Sequence, residues 1–401
     1  METVRKYKDQ RGSKATIIQM LRVHGSISRM ELTKLTDLSR ATISIAVNEL
    51  IELGLIRETE LQQSTGGRPA INLELVPNSH IILGADLIDQ AWVLGAFDLL
   101  GNTLLMQRIP YASPTPEAAV QALAEELPHF VNKLDKEPIP LIGLGIPGLV
   151  DTNRGLLHSS AVLGWRQVEL SRMMTDKLRW PVVVLNRSRA RGLAESRYGA
   201  GRHYNQMIYI GIDTGIGAGI YVQRELIHGA IGGAGELGHT SVELDGVLCL
   251  CGNRGCLQMY AAAPAIELEA RKRLREDTDS SLLREPEFDL QLLNAKQICQ
   301  AADQGDELAV QVVNNAATYL GMTMANLVNL LNPEAIILGG MIPMECSTYL
   351  ETAVKVMRQR SIHLLSASTV VHPAIFKDIG GALGAANFAL DEHMSFSFLN
   401  V

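Results

Sequence analysis

Residues 208–229 read IYIGIDTGIGAGIYVQRELIHG, and residues 81–101, far upstream, read IILGADLIDQAWVLGAFDLLG. Each opens on an apolar run ending in Gly-x-Asp, passes a turn, resumes as a second apolar run and closes on a polar tip. Short runs rich in β-branched residues and bounded by turn residues predict strands, so each segment predicts a hairpin. Asp86 and Asp213 occupy equivalent places in the two copies. The echo predicts a duplicated lobe with a cleft between two related halves, the usual place for a small ligand. From Pro77 onward strand and helix patterns alternate with glycine turns, as in α/β architecture. The second copy carries the richer loop, Asp213-Thr-Gly-Ile-Gly-Ala-Gly219. Glycines there free backbone amides to wrap a phosphate, although a tight hairpin would use the same residues.

Upstream of the echo the pattern is different. Ala15–Val23 has helical spacing of Ile17, Ile18, Leu21 and Val23. Ser26 or Ser28 is placed to cap a second helix, with Glu31 completing a capping box after Ser28. A third helix from Ser39 to Leu53 buries Ile43, Val47, Leu50 and Ile51, and Leu55 extends the stripe. Its first turn crowds Ser39, Arg40, Thr42 and Ser44 onto the polar side, the short donors and cation that a recognition helix presents to base edges. Two strands, Leu55–Glu60 and Ile71–Leu75, then flank a tip containing Gly67 and Arg68, which fit a wing reaching phosphate or minor groove. The three helices alone would equally fit a bundle that binds another protein. With the wing, the reading is a winged helix-turn-helix over residues 1–76, contacting DNA through Ser39, Arg40, Thr42, Ser44, Gly67 and Arg68.

Composition agrees with this division. The chain of 401 residues is 47% apolar and 20% charged, and is long enough for two or three domains. Its net charge of −7 opposes nucleic-acid binding taken whole, but residues 1–70 hold 11 lysines and arginines against 8 acidic residues. A basic head on an acidic body suits contact with DNA through one end. No apolar run approaches the ~20 residues of a membrane span, and the charged N-terminus lacks a signal-peptide core, so a cytoplasmic protein with no membrane partner is expected.

Three of the five cysteines lie within residues 249–256. With His239 they make the pattern H-x9-C-x-C-x4-C: one imidazole and three thiolates, a closed set suited to structural Zn²⁺ at His239, Cys249, Cys251 and Cys256. The spacing departs from the common C-x2-C, and three reduced cysteines in a Gly-Asn turn would look the same.

The whole stretch from Gly233 to Ala262, GAGELGHTSVELDGVLCLCGNRGCLQMYAA, closely resembles the signature of the ROK family, which joins bacterial sugar kinases to sugar-responsive repressors. Supporting matches are GLGIPGLVD (143–151), NPEAIILGG (332–340) and GGALGAA (380–386). The resemblance implies a two-lobed actin-like ATPase (ribonuclease H-like) fold, with a first lobe over 77–200 and a second over 201–401. It implies zinc at the same four residues, and the winged helix places the chain on the family's repressor branch.

Four departures from the family's kinases then bear on function. The kinases' phosphate loop is Asp-x-Gly-Gly-Thr-Lys, whereas Asp86 is followed by Leu87-Ile88-Asp89-Gln90. Their catalytic Asn-Asp pair is Asn186-Arg187 here, and a guanidinium that stays protonated cannot act as general base, a loss of roughly 10²–10⁴ in rate. The asparagine before the Gly-Trp turn is Ala161, and the glutamate after Gly-Cys-Leu is Gln258. Asn186, Arg187, Glu236, His239 and Gln258 remain as effector-binding residues, with Arg187 beside Arg189 and Arg191 raising the option of an anionic sugar. No catalytic residue is expected. The expectation is a repressor of carbohydrate-metabolism genes, a homodimer or homotetramer on double-stranded operator DNA, released by a sugar or sugar phosphate. Its rivals are a kinase with residual activity and a DNA-binding protein whose pocket has decayed. The apolar segment Gly321–Leu331 is either an oligomer interface or plain core.

Overall fold

A computed structural model of the chain describes residues 12–59, 71–275, 279–284 and 289–395. Two compact units interleave along the sequence. One takes the described residues up to Ile146, Glu169–Leu185 and the segment from Gly381; the other takes Pro147–Val168 and Asn186–Gly380. Residues 147–168 and 186–200, counted with the first lobe from the sequence, therefore sit in the second unit, while the C-terminal helix returns to the first.

The head begins with α1 (Ser13–His24), β1 (Ser26–Ser28), α2 (Arg29–Leu35) and α3 (Arg40–Glu52), followed by β2 (Ile56–Thr59) and β3 (Asn72–Leu75). Ile17, Ile18, Leu21, Ile43, Val47, Leu50 and Leu55 form its core, joined by Ala46. Ile51 is only half-buried, because it lies off the stripe that Ala46 completes. Ser28 caps α2 and Glu31 returns the bond, so the expected box is present. Gly54 adopts φ 67° as the chain leaves α3 for β2, a conformation that favours glycine. The strands form an antiparallel sheet in the order β1-β3-β2, with Ile56 facing Leu75 and Thr59 facing Asn72. The wing tip, with the expected Gly67 and Arg68, lies outside the described residues.

The body continues through β4 (Ile82–Ile88), β5 (Ala91–Phe97), β6 (Thr103–Pro110), α4 (Pro116–Val131), β7 (Ile142–Ile146), β8 (Leu149–Asp151), β9 (Leu156–Ser160), β10 (Trp165–Val168), α5 (Leu170–Leu178), β11 (Val182–Asn186) and α6 (Arg187–Tyr198). Next come β12 (Met207–Ile212), β13 (Ile216–Val222), β14 (Glu225–Leu226), α7 (Ala263–Leu274), α8 (Ala295–Asp303), α9 (Glu307–Leu331), β15 (Ala335–Gly339), α10 (Ser347–Arg360), β16 (Val370–Pro373) and α11 (Ile379–Ser395). The two large sheets run β11-β7-β4-β5-β6 and β16-β15-β12-β13-β14. In each, an antiparallel hairpin (β4–β5, β12–β13) pairs on its other side with a parallel strand, β7 or β15. The echo in sequence is thus a repeat of topology.

In the first unit, Trp92 is fully buried and its indole N–H donates to the Ala119 carbonyl of α4 at 2.8 Å. On the same sheet the small residues of α11 permit close approach. A Cβ at Gly84 would collide with the Ala382 carbonyl, and one at Gly143 with that of Ala385. In the second unit, β12, β13 and β15 pack with α7–α10 around one continuous apolar core. Gly321 of α9 lies against Ala353 and Val356 of α10, and Met324, Ala325 and Val328 are buried. Within Gly321–Leu331 the exposed residues are Asn326, Asn329, Leu330 and Leu331, and the apolar ones before them are core or half-buried. Among the described residues no helix is long and apolar enough to cross a membrane.

Candidate DNA-reading face, effector pocket and metal centre

Helix α3 presents Arg40, Ala41, Ser44, Ile45 and Asn48 to solvent. Ser39 is its N-cap: the hydroxyl accepts the Thr42 N–H at 3.1 Å and lies 2.8 Å from the Thr42 hydroxyl. Of the expected contacts, Arg40 and Ser44 therefore stand on the open face, while Ser39 and Thr42 spend part of their hydrogen-bonding capacity on each other. Arg29, not singled out from sequence, donates to Asn48 Oδ1 and to Glu58 Oε1, both at 3.0 Å. It fastens the exposed side of α3 to the wing strand β2. A lone arginine outside α3 gives no local signal of this role, since the two partners lie 19 and 29 residues away.

The expected effector residues all fall in the second unit. Asn186 caps α6, its Oδ1 accepting from the Ser188 and Arg189 amides at 2.9 and 3.2 Å, and its amide donates to the Gly148 carbonyl at 2.8 Å. Arg187 follows, half-buried, its charge acting on Asp213. The neighbouring arginines do not join it in an anion cluster. Arg189 is buried, donating to the Gly232 carbonyl at 2.5 Å and meeting His228 Nδ1 at 2.8 Å. Arg191 is ion-paired with Asp213 at 2.8 Å. Burial opposes ionisation of Asp213, yet Arg191, the Met341 N–H and Arg187 outweigh it and hold the carboxyl below its usual range. Burial pushes the Glu236 carboxyl up, with Arg189 drawing it partly back. The NRSRARG run showed three cations in sequence; only folding shows that α6 points two of them at internal acceptors.

The two hairpin loops differ as the sequence implies. Asp89 and Gln90 both have positive φ, 46° and 55°, and form a two-residue turn closing Ile88 onto Ala91. Asp86, buried, abuts Gly381 and Gly145. In the other unit Ile212 pairs with Ile216 around Asp213, Thr214 and Gly215, a three-residue loop with glycine at its end.

His239 follows Glu236 on a short 3₁₀ turn, with Nε2 4.0 Å from the Glu236 carboxylate and Nδ1 3.7 Å from Cys249 Sγ. Cys251 and Cys256 lie 3.7 Å apart, and the four donor atoms of His239, Cys249, Cys251 and Cys256 are all within 4.8 Å of one another. None of the cysteines is in a disulfide. The set can hold a metal ion. Glycines at 252 and 255 take positive φ in the connecting loop, whose β-structure is limited to isolated bridges at Leu248–Arg254 and Ser241–Cys256. Gln258 donates its amide to Cys249 Sγ at 3.5 Å, and its Oε1 faces Gly215 and Gly238. It thus touches the sulfur cluster and the glycine loop alike, a placement that its substitution for glutamate did not reveal.

The chain is similar to known proteins over most of its length. The profile of the ROK family matches residues 82–392. The xylose repressor of Bacillus spizizenii is 31% identical over 315 residues, 78% of this chain and 77% of that protein. A crystal structure of a ROK family transcriptional regulator, a homologue of the E. coli MLC protein, superposes with TM-score 0.80 and 28% identity, covering 95% of this chain and 96% of that one. The ROK family glucokinase of Streptomyces griseus, solved with glucose and AMPPNP, gives 0.70 and 29%, covering 77% of this chain and 99% of the kinase.

Proposed function

The chain belongs to the ROK family, and we propose that it is a DNA-binding transcriptional repressor of carbohydrate-metabolism genes, released by a sugar held on its second unit. The observation that carries this is the joining of a winged helix to a kinase-like body whose catalytic-base position is Arg187. Asp213 lies beside it, already paired with Arg191. A guanidinium there accepts no proton, and the Asp89–Gln90 turn offers neither the glycines nor the lysine of a phosphate loop, so no phosphoryl transfer is assigned.

The sugar would be read by Glu236, Asn186 and the Nε2 edge of His239, with Gln258 behind them. Because Arg189 and Arg191 are spent on internal partners, a neutral polyol fits this pocket better than a phosphorylated one. The Cys₃His set suits Zn²⁺: thiolates ~2.3 Å from a tetrahedral ion stand ~3.8 Å apart, close to the 3.7 Å between Cys251 and Cys256. Zinc bound there would have no open position for catalysis, and would fix the His239 ring so that its other nitrogen stays beside Glu236. The winged helix, Arg40 and Ser44 on α3 and Arg68 on the wing would engage operator DNA. Two half-sites on DNA call for two heads, hence a homodimer or homotetramer, acting in the cytoplasm where the DNA is. Effector binding would favour a state of lower operator affinity. A gel shift on the DNA upstream of the protein's own gene, with a panel of sugars and sugar phosphates, tests the reading. A shifted band abolished by one neutral sugar supports it; a band unchanged by every sugar defeats the sensor.

A further inference from the structure

The open face of α3 contains an apolar element with no structural duty. Ile45 is 61% exposed, one turn beyond Ala41, and neither belongs to the core of the head. A solitary exposed isoleucine needs no explanation on a protein surface. This one, however, is followed at helical spacing by an amide whose direction is fixed. Arg29 can only donate, so its bond to Asn48 at 3.0 Å holds Oδ1 inward and turns the Nδ2 hydrogens outward. Arg29 is itself held by Glu58 at 3.0 Å and lies 3.5 Å from the Ser44 carbonyl. Asn48 thus presents donors alone, and the two-sided pairing of a free asparagine with adenine is closed to it.

A methyl-accepting side chain beside an outward donor matches one base edge. In the major groove thymine shows its C5 methyl and its O4 acceptor. Residues 41, 45 and 48 occupy one face over successive turns, the disposition through which recognition helices reach bases. We infer that Ala41, Ile45 and Asn48 read a thymine in each operator half-site, Ile45 packing the C5 methyl and Asn48 donating to O4, with Arg29 as the positioning residue. The inference rests on the DNA-binding reading above and names what that surface recognises.

The test starts from a pool of random duplexes selected with the full-length protein. In the enriched duplex each thymine is replaced in turn by deoxyuridine, which removes only the methyl, and affinity is read by fluorescence anisotropy. The wild type should lose about fourfold at one thymine per half-site, the worth of one buried methyl group. Ile45→Ala, at an exposed position, should bind the parent duplex more weakly and show no further loss with deoxyuridine there. Arg29→Met should lower the ratio of affinities for the enriched duplex and for one with that base pair exchanged, a ratio in which the uniform loss from removing a cation near phosphate cancels. Tolerance of deoxyuridine at every position, or undiminished sensitivity in Ile45→Ala, would overturn the inference while DNA binding stands. Failure to enrich any sequence would overturn both.

Discussion

The guanidinium of Arg22, on α1 of the winged helix, lies 3.5 Å from Asp391 on α11, with the Arg22 side chain 1% exposed. Its Nε also donates to the Leu99 carbonyl in the β5–β6 turn at 3.4 Å. The same helix α11 passes beside Asp86 through Gly381, ten residues earlier, or about 15 Å along the axis. One helix thus touches both strand β4 of the first hairpin and the head.

Removing one partner of this contact and removing both should have unequal effects. Asp391→Ala leaves a buried guanidinium without its carboxylate and should cost roughly 3 kcal/mol, whereas the double variant Arg22→Met/Asp391→Leu removes both charges and should cost under about 1 kcal/mol. Denaturant unfolding of the two variants measures this. Equal losses would show that the ion pair is incidental to the packing.

The Asp213–Arg191 pair makes a prediction about pH. The Asp213 carboxyl is held below its ordinary value of 3.8, so the stabilisation it brings is whole above that pH and is lost as pH falls through the lowered value. Asp213→Asn should therefore destabilise the protein by roughly 2 kcal/mol near neutrality, and the difference from wild type should shrink in strong acid. Urea titrations of both proteins at several pH values give that difference directly.

The sulfur cluster should carry one zinc per chain. Cys251→Ser, at the exposed corner of the set, should abolish stoichiometric metal by elemental analysis and lower the melting temperature, since the loop has little hydrogen-bonded structure of its own. A metal-free wild type with the same melting curve would remove zinc from the account.

Phosphoryl transfer should be absent with ATP and any sugar of the panel, and Arg187→Asp alone should not restore it. The variant regains a base yet keeps the closed Asp89–Gln90 turn, so both defects would have to be repaired. A coupled nucleotide assay detects turnover; activity in the single variant would mean that the turn is no obstacle.

Much of this molecule is local and was therefore open to reading in one dimension. The capping box of Ser28 and Glu31, the paired hairpins around Asp86 and Asp213, and the spacing of His239 with its three cysteines each depend on residues close in the chain. Periodicity and donor chemistry encode such features directly. What tertiary structure alone decided depends on residues far apart. It turned Arg189 and Arg191 toward Gly232, His228 and Asp213, joined Arg29 to Asn48 and Glu58, and set Arg22 against Asp391. A charged residue carries the same signal in sequence whether it meets ligand, solvent or another part of the fold. Only the path of the chain through space chooses its partner, and α11 shows this most plainly, returning from the end of the sequence to complete the unit that the head began.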